Sequence, residues 1–426
     1  MEAFRERCRD WLAGQALPPA EDVAEREGPG GGVAVFHDLD HDDEAALLDR
    51  GRAWQTTRYQ AGFGAIGWPV EHGGAGLTAD HERVYAEEEA RYTVGPSHEA
   101  LRITANLAAP TLRELGTPVQ RERFVASFLR CDELVCQLFS EPGAGSDLAA
   151  ISTRAIADGE TWVIDGAKVW TSGARFADWG FLIARSDPGR PKHQGLTAFL
   201  VPIRSPAVEV RPIRQMSGGA SFSEVLLTGV RVPDELRVGE VGGGWRAALT
   251  MLGFERNQSG TKTGVGAGWP QLRELARRSG RGGDPAVRRQ LVDVYMHERL
   301  RLLTRARADA ARRMGQRPGP EGSIGKLLWS QGLTRIGEAA QLLLGPTLTA
   351  DDGSGRGDGS GRVADFDWNQ HVLGAPGFRI AGGSDEIQRT IIGERVLGLP
   401  AEPREQPAPA PAPSPASGPA RAKGAP

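Results

Sequence analysis

Apolar residues recur along this chain with two different periods, and the change between them divides it. Over residues 1 to about 134 the spacing is mainly helical. Phe4, Cys8, Trp11 and Leu12 give the opening segment an amphipathic helical face, and residues 81–92 read as a charged helix. Residues 106–115 and 119–129 repeat apolar positions at helical spacing, with Gly116-Thr117-Pro118 as the stop between them. From about 135 to 235 the pattern shortens. Residues 161–164 and 167–170 flank Asp165-Gly166, a two-residue hairpin signal, and 181–184, 197–201 and 224–227 follow as strands. From Gly242 the helical period returns over 245–253, 286–314, 323–344 and 384–397. Residues 351–362, rich in Gly, Ser and Asp, read as a mobile loop, and the Pro-Ala-rich chain beyond Pro400 as a disordered tail. The fold class expected is α+β, mainly α. It has an N-terminal helical domain over 1–134, a middle antiparallel β domain over 135–240, a C-terminal helical bundle over 241–399 and a tail over 400–426.

With 426 residues, the chain is long enough for two or three domains and a sizeable core. A formal charge of -3 argues against nucleic acid as the main partner, since no basic excess is present to neutralise phosphates. Cys8, Cys131 and Cys136 have no metal-ligand spacing, so a reducing cytoplasm is the expected compartment. The first residues mix Glu and Arg with their apolar positions, unlike a signal peptide, and no apolar run is long enough to span a bilayer.

Two runs carry chemistry. Phe139-Ser140-Glu141-Pro142-Gly143-Ala144-Gly145-Ser146-Asp147 places hydroxyls and glycine-opened amides beside a tight Pro-Gly turn. Lys168-Val169-Trp170-Thr171-Ser172-Gly173 places an indole and another hydroxyl on a strand. Hydroxyls and amides bind the polar edge of a heteroaromatic ring and an indole covers its face, so together they suggest a flavin cradle. Alone, the first run reads equally as a surface turn. Near the C-terminus Ser384 is placed to cap a helix with Asp385 and Glu386 in its first turn, and Gly382-Gly383 leave the preceding amides unobstructed. Taken alone, that pattern is also what an ordinary capped helix shows.

Glu141-Pro142-Gly143-Ala144-Gly145-Ser146-Asp147 resembles the first signature of the acyl-CoA dehydrogenase family. Gly382-Gly383-Ser384-Asp385-Glu386-Ile387-Gln388-Arg389 resembles its C-terminal signature, and Gly67-Trp68-Pro69-Val70-Glu71-His72-Gly73-Gly74-Ala75-Gly76-Leu77 is similar to part of its N-terminal domain. The resemblance runs over about residues 1–400. It implies a C-terminal four-helix bundle and FAD held between the β domain and that bundle. It also implies dimers or tetramers in which FAD reaches a neighbouring subunit. By position it implies that the Phe139 backbone and Ser140 contact the flavin ring and that Ser146 lies near FAD phosphate or acyl-CoA. Trp170 should flank the isoalloxazine, with Ser172 bonding near flavin N5. Ser384 and Glu386 match FAD-contact positions, and an amide at Gly382 would help bind the thioester carbonyl. Arg281 lies about where the family has an FAD-phosphate Arg. Gln341 and Gly345 fit the segment that reaches FAD across subunits, although Leu344 and Pro346 depart from its pattern.

Removing a Cα proton from an acyl thioester needs a base, and a carboxylate in a dry pocket serves well. Many family members carry that Glu just before the Gly-Thr of the C-terminal signature, where this chain has Gly382. A second family arrangement puts it on the first bundle helix before an Arg, and Leu252-Gly253-Phe254-Glu255-Arg256 matches. Glu255 is therefore the expected base and Arg256 the expected CoA contact. Without the resemblance, a Glu-Arg neighbour pair reads as a solvated helix face.

The resemblance implies α,β-desaturation of an acyl-CoA or acyl-carrier-protein thioester, with electron-transfer flavoprotein or a similar carrier as acceptor. A homodimer or homotetramer is expected, with a heteromeric assembly as the alternative. A related flavin oxidase or monooxygenase, or a non-catalytic subunit, are the alternatives in function. The run from His37 to Asp43 holds metal-ligand types but lacks Ca-loop spacing, and reads as an acidic helix start; no metal is expected. Residues 322–326 hint at a phosphate loop but lack its first Gly and its hydroxyl, and 28–32 read as a flexible link.

Overall fold

The change of period carries into three dimensions as helices, then sheet, then helices. The computed structural model describes residues 1–19, 32–259, 265–314, 316, 319–350 and 366–401, with only the backbone for 256–259, 312 and 313. The loop expected at 351–362, residues 28–31 of the expected link and the tail beyond 401 lie outside the described residues.

The N-terminal helices are α1 (Glu2–Ala13), α2 (His41–Gln60), α3 (Ala79–Glu89), α4 (Glu99–Ile103), α5 (Ala109–Leu115), α6 (Pro118–Gln120) and α7 (Ala126–Arg130). Wide π-helical turns at Thr104–Ala108 and Arg121–Val125 join α4 to α5 and α6 to α7. Cys8 of α1 packs in one cluster with Phe63, Ile66 and Tyr85. The acidic run at 38–43 is a helix start: Asp40 accepts the amides of Asp42 and Asp43 at 3.0 and 2.9 Å. The stop at Gly116-Thr117-Pro118 is a reciprocal cap, with Thr117 Oγ1 accepting the Gln120 amide and Gln120 Oε1 accepting the Thr117 amide.

Eight strands follow: β1 (Val135–Leu138), β2 (Arg154–Asp158), β3 (Thr161–Ser172), β4 (Trp179–Arg185), β5 (Leu196–Pro202), β6 (Val208–Gln215), β7 (Gly218–Pro233) and β8 (Arg237–Val238). They form one sheet in the order β6-β7-β3-β2-β4-β5-β8, with β1 beside β4. The pairing is antiparallel except that β1 runs parallel to β4, as does the single β2–β4 pair Arg154 with Arg185.

One expected turn is not a turn. β3 passes unbroken through Asp165-Gly166, and the bend is at Gly159-Glu160, where Asp158 pairs with Thr161. At Asp165 the register against β7 slips, and Asp165 Oδ1 accepts the Gly229 amide at 2.8 Å. The physical reason for Gly166 is close approach, since a Cβ there would stand 2.3 Å from Thr153 Oγ1.

The C-terminal helices are α8 (Gly244–Ser259), α9 (Trp269–Arg278), α10 (Pro285–Arg313), α11 (Gly322–Leu344), α12 (Asp367–Ile380) and α13 (Asp385–Ile391). Leu272 and Leu275 of α9, Val294 of α10, Ile336 and Ala340 of α11 and Trp368 of α12 share the bundle core. By contrast α8 packs elsewhere: Ala247, Ala248 and Met251 bury with Leu107, Leu112 and Phe128 from the N-terminal helices and Phe181 and Leu200 from the sheet. The segment around residues 33–38 ties the blocks together. Phe36 stacks on Phe378 of α12 at 5.0 Å and meets Phe222 of β7 edge-on at 5.3 Å, while Asp38 accepts from Gln370 at 2.8 Å.

Gly166→Ala should cost about 1–3 kcal/mol through overpacking against Thr153. It would be read as a lower thermal unfolding midpoint; an unchanged midpoint contradicts the close-approach account.

Candidate active site

Lys168 of β3 is fully buried, and its ammonium makes three bonds: to the Phe139 carbonyl at 3.0 Å, the Ile183 carbonyl at 2.9 Å and Glu141 Oε1 at 2.9 Å. Glu141 also accepts the Ser152 amide and hydroxyl and the Thr153 amide, at 2.7, 2.8 and 2.9 Å. Burial alone would raise this carboxyl, but the Lys168 charge and the bonds from Ser152 and Thr153 outweigh it and hold the group at about 2. The Glu141 and Ala144 backbones close the Pro142-Gly143 turn with reciprocal bonds of 3.0 Å, and the Ser140 carbonyl accepts the Val169 amide at 2.9 Å. The two sequence runs are thus stitched side by side, and Glu141 is consumed in the stitching.

Between Lys168 and Thr171 the β3–β7 register slips again, now with the extra residue on β3. Trp170 sits in this bulge with φ +61 and its indole is 60 % exposed, although it is among the largest apolar side chains in the chain. A left-handed non-glycine backbone persists only where its surroundings over-determine it, and such positions gather at ligand sites. Half-buried Ser140 follows the end of β1 and half-buried Ser172 ends β3 two residues after Trp170, while Ser146 is exposed on the loop after Ser140. Cβ atoms on Gly143 and Gly145 would meet nothing within 4 Å, so that loop is open on its outer side. An outward indole beside hydroxyls and open amides fits a flat heteroaromatic cofactor such as FAD.

The second half of the site lies between α8 and α13. A Cβ on Gly382 would stand 3.0 Å from Glu255 Oε1, and Gly382 has φ +68. The Glu255 carboxylate therefore lies against the face of Gly382 where a side chain would be. Buried Gln388 holds the turn by donating to the Gly382 and Gly383 carbonyls, each at 3.1 Å, and Ser384 Oγ accepts the Ile387 amide at 3.3 Å as the expected cap. Exposed Glu386 lies 3.4 Å from Arg389. Asp385 was expected only in the first helical turn, yet it is buried. It accepts from Ser330 and Arg379 at 2.8 Å each and lies 3.6 Å from Lys326 Nζ. Burial pulls the Lys326 ammonium down against the attraction of Asp385, Glu255 and Glu386. The Arg256 side chain lies outside the described residues.

Arg281 donates to the Leu342 carbonyl and to Asp284, which brings it to the end of α11 that carries exposed Gln341 and Gly345. That end is 15 residues from Lys326 along one helix (341 minus 326), or about 22 Å. Within one chain these three residues and the Glu255 centre belong to opposite ends of the bundle.

Sequence reasoning missed the buried cations Lys168 and Lys326; a lone Lys amid apolar neighbours, as in Ile324-Gly325-Lys326-Leu327-Leu328, was the available signal. Missed too was the grouping of His37, Glu44 and His98, whose possible ligand atoms lie within 4.8 Å of one another among the described residues. His98 Nδ1 accepts the Ala100 amide at 3.1 Å, so its Nε2 carries the proton and donates to Glu44 Oε1 at 3.2 Å. Arg175 completes the set on Glu44 Oε2. This is a hydrogen-bonded junction between the N-terminal helices and the sheet, in a tautomer that cannot ligate a metal through Nε2.

Models of the N-terminal, middle and C-terminal domains of acyl-CoA dehydrogenase match residues 1–132, 136–230 and 242–397. The chain is 38% identical over 406 residues to acyl-CoA dehydrogenase IpdE1 of Mycobacterium tuberculosis, covering 94% of this chain and 98% of that protein. Among solved structures it resembles the Tcur3481-Tcur3483 steroid ACAD, with TM-score 0.73 and 27% identity over 94% of this chain and 97% of that one. It also resembles the ChsE4-ChsE5 complex from Mycobacterium tuberculosis, with TM-score 0.65 and 25% identity over 94% and 97%.

Glu141 is ionised down to about pH 2 in the fold, against an ordinary value of 4.5. Its stabilising contribution is complete above pH 4.5 and disappears as the pH falls toward 2. Lys168→Met strands that carboxylate and should cost about 3–5 kcal/mol. In a pH series of thermal midpoints the variant should be lower at pH 7, and its deficit against the wild type should narrow as the pH falls below 4.5, because acid protonates the stranded carboxylate while the wild type loses the Glu141 contribution. An unchanged midpoint at pH 7 contradicts the role given to the pair.

Proposed function

The chain belongs to the acyl-CoA dehydrogenase family of FAD-binding oxidoreductases, and from that premise we propose that it desaturates an acyl thioester between Cα and Cβ with Glu255 as the base. The observation that carries this reading is the 3.0 Å approach of Glu255 Oε1 to the Cβ position of Gly382. Gly382 supplies no carboxylate, and α8 delivers one to the same place.

In this mechanism the Gly382 amide donates to the thioester carbonyl, which stabilises the enolate-like charge that develops when the Cα proton leaves. A Glu255 carboxylate oxygen takes that proton. The chemistry a bound FAD would supply there is acceptance of the Cβ hydride. The remaining work is positioning. The Phe139 backbone, Ser140, Trp170, Ser172, Ser384 and Glu386 hold the cofactor, while Ser146 and Arg256 serve the CoA portion. Trp170 covers a ring face and Lys168 fixes the strand that presents it.

Arg281, Gln341 and Gly345, about 22 Å along α11 from the Lys326 end, would serve the cofactor of a second subunit. An apolar stripe on α10 supports assembly: Val292, Tyr295, Met296, Leu300 and Leu303 are all exposed at helical spacing. The relatives named as a two-component steroid ACAD and as a ChsE4-ChsE5 complex favour an unlike partner subunit and a steroid-derived acyl group. Room for a bulky group is consistent with Gly253, where a Cβ would meet nothing within 4 Å. Electron-transfer flavoprotein or a similar carrier would reoxidise the enzyme. A cytoplasmic setting suits three buried free cysteines, and no described helix is long and apolar enough to cross a membrane.

Glu255→Gln should retain yellow, bound FAD yet reduce it with acyl-CoA at least about 10²-fold more slowly under anaerobic conditions. Unchanged bleaching removes Glu255 from the mechanism. Rapid reoxidation of the bleached enzyme by air would point to an oxidase instead.

A further inference from the structure

Arg102 lies in the last turn of α4 with a side chain only 14% exposed. Its Nε and Nη2 both donate to the Glu99 carboxylate, a two-pronged pair that orients the guanidinium. Nη1 is buried and, among the described residues, has no hydrogen-bond partner. The next residue, Ile103, and Leu107 one turn on share an apolar cluster with Met251, and Leu252 and Phe254 pack against it. Arg102 thus stands beside the stretch of α8 that presents Glu255. Burial opposes its charge, but Glu99 outweighs that effect and Glu255 adds to it, so the group is held above the usual guanidinium range.

A buried guanidinium nitrogen without a partner is costly, and in a binding site such a group is explained by the ligand atom that completes it. Because Glu99 already balances the charge, what Nη1 lacks is an acceptor. Lys326, a second buried cation that feels Glu255, also has no hydrogen-bond partner on Nζ among the described residues, but it pairs in charge with Asp385 at 3.6 Å on the α13 side, whereas Arg102 stands on the α4 side beside α8.

Building on the assignment of Glu255 as base, we propose that Arg102 Nη1 donates to an oxygen carried by the acyl group in addition to its thioester carbonyl. The preferred substrate is then an oxygenated acyl thioester. A carboxylate, a ketone and a hydroxyl share the required acceptor, whereas a hydrocarbon tail leaves Nη1 unsatisfied.

The test uses FAD-loaded enzyme and three CoA thioesters of one ring skeleton: with a ring carboxylate, with a ring ketone, and unsubstituted. For the wild type, kcat/KM should favour each oxygenated thioester by roughly ten- to a hundredfold. Arg102→Met should bring that ratio close to one. Arg102→Lys keeps a cation for Glu99 and so protects the fold; it should lower the ketone ratio more than the carboxylate ratio. A wild-type ratio near one, or a ratio that both variants leave in place, overturns the inference. Failure of all three thioesters to bleach the flavin overturns the dehydrogenase reading itself. Bleaching by all three with equal kcat/KM overturns only the role of Arg102.

Discussion

One buried ammonium organises the side of this protein proposed to hold the cofactor. Lys168 has no access to solvent, and its three acceptors come from the segment after β1, from β4 and from Glu141. An uncompensated charge at that depth would be strongly destabilising, so the loop that follows β1 is held to the position where Glu141 can reach it. That anchor sits just before the bulge that turns Trp170 outward. A buried charge on one residue and an exposed indole two residues on give this end of β3 an outward flat surface, on which the proposed cofactor site rests.

The same anchor decides which carboxylate can act as a base. Glu141 lies in the most recognisable motif of the chain, but its oxygens are taken by Lys168, Ser152 and Thr153, which keep it ionised and fixed. Glu255 reaches the site from a helix clamped between the N-terminal helices and the sheet, and stands against a glycine. With Glu255 as the proposed base, its position depends on the packing of two blocks instead of one turn. The second buried charge centre, Asp385 with Lys326 and Arg379, steadies the opposite wall by fixing the start of α13.

Much of this was legible in the sequence where the determinants are local. The helices at 286–314 and 323–344 follow from periodicity, and the Ser384 cap follows from a hydroxyl placed three residues before the amide it accepts. Asp165-Gly166 misled because the pair suits a bulge as well as a turn. What decides between them is brought in from elsewhere in the chain, Gly229 by β7 and Thr153 by the segment just before β2. α2 escaped notice beyond its acidic start because the residues it buries include Glu44, Gly51 and Gln55, which blur any apolar stripe. Buried cations were the least legible, since Lys168, Lys326 and Arg102 look like surface residues until their partners are known. Glu255 itself came from family resemblance, not from any pattern of its own.

The central claim is that Glu255 removes the Cα proton. A CoA thioester with no hydrogen on Cβ cannot be desaturated, so exchange of its Cα hydrogens with deuterated solvent reports the base alone. The account predicts deuterium at Cα with FAD-loaded wild-type enzyme and none above background with Glu255→Gln. Exchange at the wild-type rate in Glu255→Gln would contradict it.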